Sequence, residues 1–227
     1  MLTGKVTDWD GSTLTIKAVF NDNYTMLHQE CREAEIRLID SRTISSEQRK
    51  KTYALLRDIS LYTGYDADQM KGVMKYAFIA KTGLPEFSLS DIDKTTARHF
   101  IDFLVEFCLE WNVPCQDSLL EKAEDIGKYL YLCLYHKKCC ICGSKSETHH
   151  AEDRVGLGRN REEIVHLGMR AMALCRKHHN ECHSIGQKAF NERWHIYGVN
   201  VNEVLAKRLR IGTTKEREGG IYAGDRF

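Results

Sequence analysis

The segment "CCICGSKSETHH", residues 139 to 150, places three cysteines and two adjacent histidines within one short run, and "LCRKHHNECH", residues 174 to 183, adds two cysteines and three histidines. A tetrahedral zinc takes four such ligands. Cys139 and Cys142 form a C-x2-C pair on a tight turn, where Gly143 allows the backbone to reverse. Cys175-x2-His178 is the complementary half. Together the four residues make a Cys3His structural zinc site, which fits a reducing compartment better than a disulfide framework does. Cys140 falls inside the turn as a bystander. Cys182 lies four residues after His178 on a helix, borders the site and is a substitute ligand.

The ligands left over need a second explanation. His179 and His183 are spaced i, i+4, so they share one helix face and can chelate one ion. That face is about 100° from the one carrying Cys175 and His178. His149 completes a three-histidine set with open positions, the arrangement of a catalytic metal. Neighbouring strand residues point to opposite sides, so His149 and His150 divide two jobs, ligand and general base.

This run of C-x2-C, His-His, loop, "LCRKHH" and a histidine four residues on resembles the HNH (ββα-metal) nucleases. The resemblance implies phosphodiester hydrolysis, with His149 and His179 as metal ligands and His150 as the base that activates water. His183 matches the extra helix histidine of the three-histidine, colicin-type members. Two metals are implied: structural Zn2+ and a catalytic divalent ion, one of Mg2+, Mn2+, Ni2+ or Zn2+. One departure stands out. The family's central Asn, five residues before the second knuckle cysteine, is Arg170 here, in "RAMALC". Arg170, Asn160 and His166 are the candidates to take over its bracing role. The loop "RVGLGRNR" offers Arg154, Arg159 and Arg161 for phosphate contact, or as an ordinary solvated loop.

The rest of the chain is consistent with this. The net charge of +1 hides an asymmetry: residues 136–210 carry 14 Lys/Arg against 8 Asp/Glu, and residues 1–135 carry 16 against 21. A basic C-terminal third with metal ligands fits a polyanion partner. No segment approaches the roughly 18 apolar residues of a membrane span, and the N-terminus lacks the features of a signal peptide. The expectation is a cytoplasmic protein.

The N-terminal half reads as α+β. "GKVTDWDGSTLTIKAVF" has hairpin alternation at Val6, Leu14, Ile16 and Ala18 around an Asp10-Gly11 turn. "EAEIRLID" repeats a strand pattern at Ala34, Ile36 and Leu38. Ser45 and Gln48 form a capping box for a helix from Ser46 to Tyr62, with Leu55, Leu56 and Ile59 inward. A second helix follows with Met70, Val73, Met74, Ala77 and Phe78 inward, and Gly83 and Pro85 stop it. A third, capped at Ser90, buries Phe100, Ile101, Leu104 and Phe107. A fourth, "SLLEKAEDIGKYLYLCLYHK", runs into the cysteine cluster. Tyr53 is expected in the core, and Trp9 and Trp111 in partly buried packing roles.

The stretch "RTISSEQRKKTYALLRDIS" and the later helix "ARHFIDFLVEFCLEWNV" resemble the lambda Orf (NinB) family of phage recombination proteins. That resemblance implies a domain binding single-stranded or branched DNA, a homodimer, cooperation with a single-strand DNA-binding protein, and a phage or prophage origin in a bacterial host. Arg42, Gln48, Arg49, Lys50 and Lys51 are then DNA-contact candidates. The whole reads as an Orf-like domain over residues 1–134, a zinc-stapled HNH nuclease over 135–210 and a mobile tail over 211–227. The competing expectation is a non-catalytic recombination mediator whose zinc module only binds and folds.

Overall fold

The computed structural model describes residues 4–28, 33–34, 36, 38, 40–151 and 166–211. Contacts divide the chain into two units, Met1–Ile39 and Asp40–Phe227. Beyond Ile211 the expected tail lies outside the described residues, as do Arg154, Arg159, Asn160 and Arg161.

The first unit holds the expected hairpin. Strand β1 (Gly4–Trp9) pairs antiparallel with β2 (Leu14–Ala18), with a register irregularity between Val6 and Asp8. The Asp10 carboxylate closes the turn by accepting the amides of Ser12 at 2.9 Å and Thr13 at 2.7 Å, the way Asp favours turns. A short helix, α1, spans Asn23–His28. No strand forms at Ala34, Ile36 or Leu38, and all three are exposed. Alternation alone could not make a strand there, because a strand also needs a ladder partner. Trp9 is likewise exposed rather than packed.

The second unit begins with the capping box. Ser45 Oγ accepts from the Gln48 amide, and the Gln48 side chain accepts from the Ser45 N–H, starting α2 (Ser46–Thr63). Asp66 caps α3 (Ala67–Thr82), and Gly83 ends it in the left-handed conformation. Helix α4 (Lys94–Trp111) starts one turn later than expected. Asp93, not Ser90, is its cap, accepting from the Thr96 amide. Ser90 instead sits in a turn with its hydroxyl 2.8 Å from that of Ser88.

The expected fourth helix is two. Helix α5 (Leu119–Lys122) stops, and α6 (Ile126–His136) restarts behind an Asp125 cap. The buried Asp102 carboxylate on α4 explains the break, because it accepts the freed amides of Glu124 at 3.2 Å and Asp125 at 3.3 Å. A buried carboxylate needs such donors, and burial is also what raises its pKa.

Leu55 and Ile59 of α2 meet Phe100, Ile101 and Leu104 of α4, all without exposure. Each such side chain contributes about 1.5–3 kcal/mol by leaving water. The same buried cluster continues without interruption through Leu130 and Leu134 of α6, past position 134. It reaches Met172 and Leu174 of β4 (Arg170–Leu174), Phe190 of α8 (Gln187–Trp194) and Leu205 of α9 (Glu203–Leu209). Strand β4 is the middle of a three-stranded antiparallel sheet, between β3 (Glu147–His150) and β5 (Val199–Asn200). Helix α7 (Arg176–Ile185) follows β4 and packs on β3 and β4. Tyr53, Val73 and Trp111 depart from expectation, being 47%, 49% and 55% exposed. No helix among the described residues is long and apolar enough to cross a membrane.

Candidate metal centre

Two clusters of metal-type ligands form among the described residues, one of Cys139, Cys142, Cys175 and His178, the other of His149, His179 and His183. The first is built by two turns. Gly143, at φ 70°, lets its own amide reach the Cys139 carbonyl at 2.8 Å, while the Cys139 amide reaches the Ser144 carbonyl at 2.7 Å. On the other side Cys175 is the N-cap residue of α7, and His178 lies in the first turn. Cys175 Sγ is 3.7 Å from Cys142 Sγ and 3.3 Å from His178 Nδ1, which is 3.3 Å from Cys139 Sγ. Sulfurs about 2.3 Å from a tetrahedral ion sit about 3.8 Å apart, and a nitrogen sits somewhat closer. The four atoms are therefore spaced to hold zinc, with Nδ1 as the histidine donor. Burial pushes the Cys139 thiol up to about 12. Cys140 is buried outside the cluster, with its amide on the Ala173 carbonyl at 3.0 Å.

The second cluster joins β3 to the opposite face of α7. His149 is buried, with ring centres 4.7 Å from His179 and 5.2 Å from His183. His179 and His183 stack at 4.9 Å, as their i, i+4 spacing requires. Two hydrogen bonds fix which nitrogens remain available. The Glu147 carboxylate can only accept, so His179 Nδ1, at 3.1 Å, carries the proton and leaves Nε2 free. Gln187 Oε1, at 2.7 Å, can only accept from His149 Nε2, which leaves Nδ1 free. The Gln187 amide is held in that sense by donating to Asn191 Oδ1 at 2.7 Å. Burial, ahead of the charges of His179 and His183, lowers the His149 pKa, which favours the neutral imidazole that ligates metals. Three imidazoles brought together from a strand and a helix, with ligand atoms within 4.8 Å of one another, suit a divalent ion with open positions.

Glu147 and Gln187 were absent from the sequence reading, yet both had signals. Glu147 precedes His149 by two residues and shares its strand face. Gln187 follows His179 and His183 at the same interval of four, although Gly186, at φ 85°, separates α7 from α8. Cys182 belongs on this side too. Its Sγ lies 3.5 Å from His149 Nε2 and 3.4 Å from Gln187 Oε1, and not beside the zinc-type cluster as expected. Burial raises the Cys182 thiol pKa, so it sits there as a neutral thiol.

His150 faces away from these groups. Its ring centre is 4.8 Å from that of His166, which is buried with its Nδ1 lacking a hydrogen-bond partner among the described residues. His166, one of the candidates for the central Asn's bracing role, therefore lies against the His150 ring, while Asn160 lies outside the described residues. Arg170 is exposed and fixes the end of β3 through its backbone, accepting the Ala151 amide at 2.9 Å.

Among the candidate DNA contacts, Arg42 forms a two-pronged pair with Asp40, at 2.8 and 2.7 Å. Gln48 is not placed to touch DNA. It is buried at 3% exposure, and its side chain is committed to Ser45, Lys94 and Glu124. Lys51 is largely covered and paired to Glu124 at 2.8 Å. Its neighbours Arg49 and Lys50 are exposed. The capping box that made Gln48 conspicuous in sequence is what occupies it in the fold.

A mixed helix and sheet fold carries a Cys3His cluster that could hold zinc and a three-histidine cluster that shares helix α7 with it, which defines a metal-site protein of the α+β class. A family model described as "Putative HNHc nuclease" matches residues 18–212. The chain belongs to that HNH nuclease family. No curated protein and no solved structure matches it.

Gln187→Ala is expected to weaken divalent-ion binding at the histidine cluster by about 10- to 100-fold. Titration calorimetry on the zinc-loaded protein reads this directly, and zinc content should not change. Unaltered affinity would mean that Gln187 does not set the His149 orientation.

Proposed function

We propose that this protein is a metal-dependent endonuclease that hydrolyses phosphodiester bonds in single-stranded or branched DNA, in a phage-type recombination setting. The observation carrying the reading is the pair of clusters on one helix. Cys175 and His178 anchor the start of α7, and His179 and His183 face His149 from its other side. A fold needing only a zinc staple has no use for the second set. A divalent ion bound there supplies a Lewis acid for the scissile phosphate and its leaving oxygen. His150, one residue along the strand from His149, takes the proton from the attacking water. His166 packs against the His150 ring and holds its orientation.

The division into a DNA-handling part over residues 1–134 and a nuclease part over 135–210 is functional, since one core runs through both. The homodimer and the single-strand DNA-binding partner rest on the recombination-family resemblance.

The test is cleavage of labelled single-stranded, duplex and branched DNA by chelator-treated, zinc-reloaded protein supplied with Mg2+, Mn2+ or Ni2+. Cleavage restored by an added ion, with two metals per chain by mass spectrometry, is the expected result. One zinc per chain and no cleavage of any substrate would leave the non-catalytic mediator reading, to which the Arg170 substitution points.

A further inference from the structure

We infer that a groove between α2 and α3 is a binding track for single-stranded DNA, with Tyr53 as a base-stacking platform. This rests on the reading above that DNA is the substrate. Arg49 and Tyr53 of α2, Lys71 and Lys75 of α3, and Ser88 and Ser90 of the following loop line a cleft of about 220 Å³. Arg49 and Tyr53 also border an adjoining open groove of about 580 Å³, shared with Lys50 and Arg57. No carboxylate lines either one.

The cations are available. Among the described residues no ion pair engages Arg49, Lys50 or Lys75. Arg49 donates to the Ser90 carbonyl at 2.9 Å, and Lys75 lies 5.1 Å from the Phe87 ring centre. Lys71 is joined to Asp68 by an exposed i, i+3 pair, a weak contact that a phosphate can displace. The Ser88 and Ser90 hydroxyls, 2.8 Å apart, use one proton between themselves and leave the other to donate beside them. Arg49 to Arg57 spans about 12 Å of helix, long enough for a run of phosphates rather than one.

Tyr53 decides between strand and duplex. Nearly half exposed amid these cations, it gains nothing from solvent, but an aromatic face accepts any unpaired base. A duplex hides its base faces. The acidic balance of the N-terminal half does not oppose this, because the local charge along the groove is positive.

The experiment measures fluorescence anisotropy with an oligothymidylate, using the full-length His150→Ala protein so that cleavage does not interfere. The double variant Arg49→Ala/Lys75→Ala should bind at least tenfold more weakly and lower the log–log salt slope by about 1.4. Tyr53→Ala should weaken binding by about 5- to 150-fold, whereas Tyr53→Phe should bind as the parent does. Thermal melting should show all three folded, since exposed substitutions of this kind shift stability by about 0.5 kcal/mol or less. Unchanged affinity and slope in the double variant would overturn the groove. Equal losses for Phe and Ala at Tyr53, or equally tight binding of duplex, would overturn the single-strand assignment. The two readings fail separately: wild-type cleavage with indifferent groove variants overturns only the groove, and groove-dependent binding by a protein that cuts nothing overturns only the nuclease.

Discussion

Removing the zinc, or replacing Cys139 by serine, is expected to collapse the C-terminal module and to abolish ion binding at the histidine cluster with it. Structural zinc in small modules contributes about 10–16 kcal/mol of apparent binding free energy, as much as the whole net stability of a typical domain, about 5–15 kcal/mol. The reason for the coupling is local. Helix α7 starts at Cys175 with no side chain capping its free amides, so an ion held by Cys175 and His178 would be what fixes its first turn. The same turn leads directly into His179. Without the ion, burial holds the Cys139 thiol protonated, near 12, and a neutral thiol does not tie the two turns together. Circular dichroism and melting of chelator-treated protein should show loss of helix and several kcal/mol of stability, and calorimetry should detect no second ion. Cys140→Ala is the contrast. It removes a buried sulfur that faces no cluster, so it should cost about 1 kcal/mol and leave both metals bound. A chelated protein that melts like the loaded one would reduce the four-residue cluster to a coincidence of thiols.

The metal clusters were legible in sequence because ligand spacing obeys short-range rules. A C-x2-C turn and an i, i+4 pair are set by backbone geometry within a few residues, and the fold brings together the same seven side chains in two clusters. The helix start at Ser45 is legible for the same reason, since a cap reads only the next three amides. What was not legible depends on distant partners. The break before α6 answers to Asp102, more than twenty residues away. The strand pattern at Ala34, Ile36 and Leu38 had the right period but formed no ladder. Gln48 looked like a surface contact until the Lys94 carbonyl and Glu124 closed over it. Tyr53 looked like core because helical periodicity shows which residues share a face, and not whether another element covers that face.

His150→Ala is expected to lower the cleavage rate by about 10²- to 10⁴-fold while leaving single-strand affinity within about twofold of wild type. The prediction separates two roles that adjacent histidines could otherwise blur. His149 is buried against His179, His183 and Gln187, so His149→Ala should remove the second ion itself, visible in the metal count. His150 turns to His166 instead, so its loss should leave both metals in place and remove only the proton acceptor. Added imidazole should return part of the rate to His150→Ala but none to His149→Ala, because a diffusible base can accept a proton yet cannot rebuild a chelate held by a strand and a helix. If His150→Ala loses metal, or cuts at the wild-type rate, the base lies elsewhere. His166 is then the next side chain to test, since it is the one against the same ring.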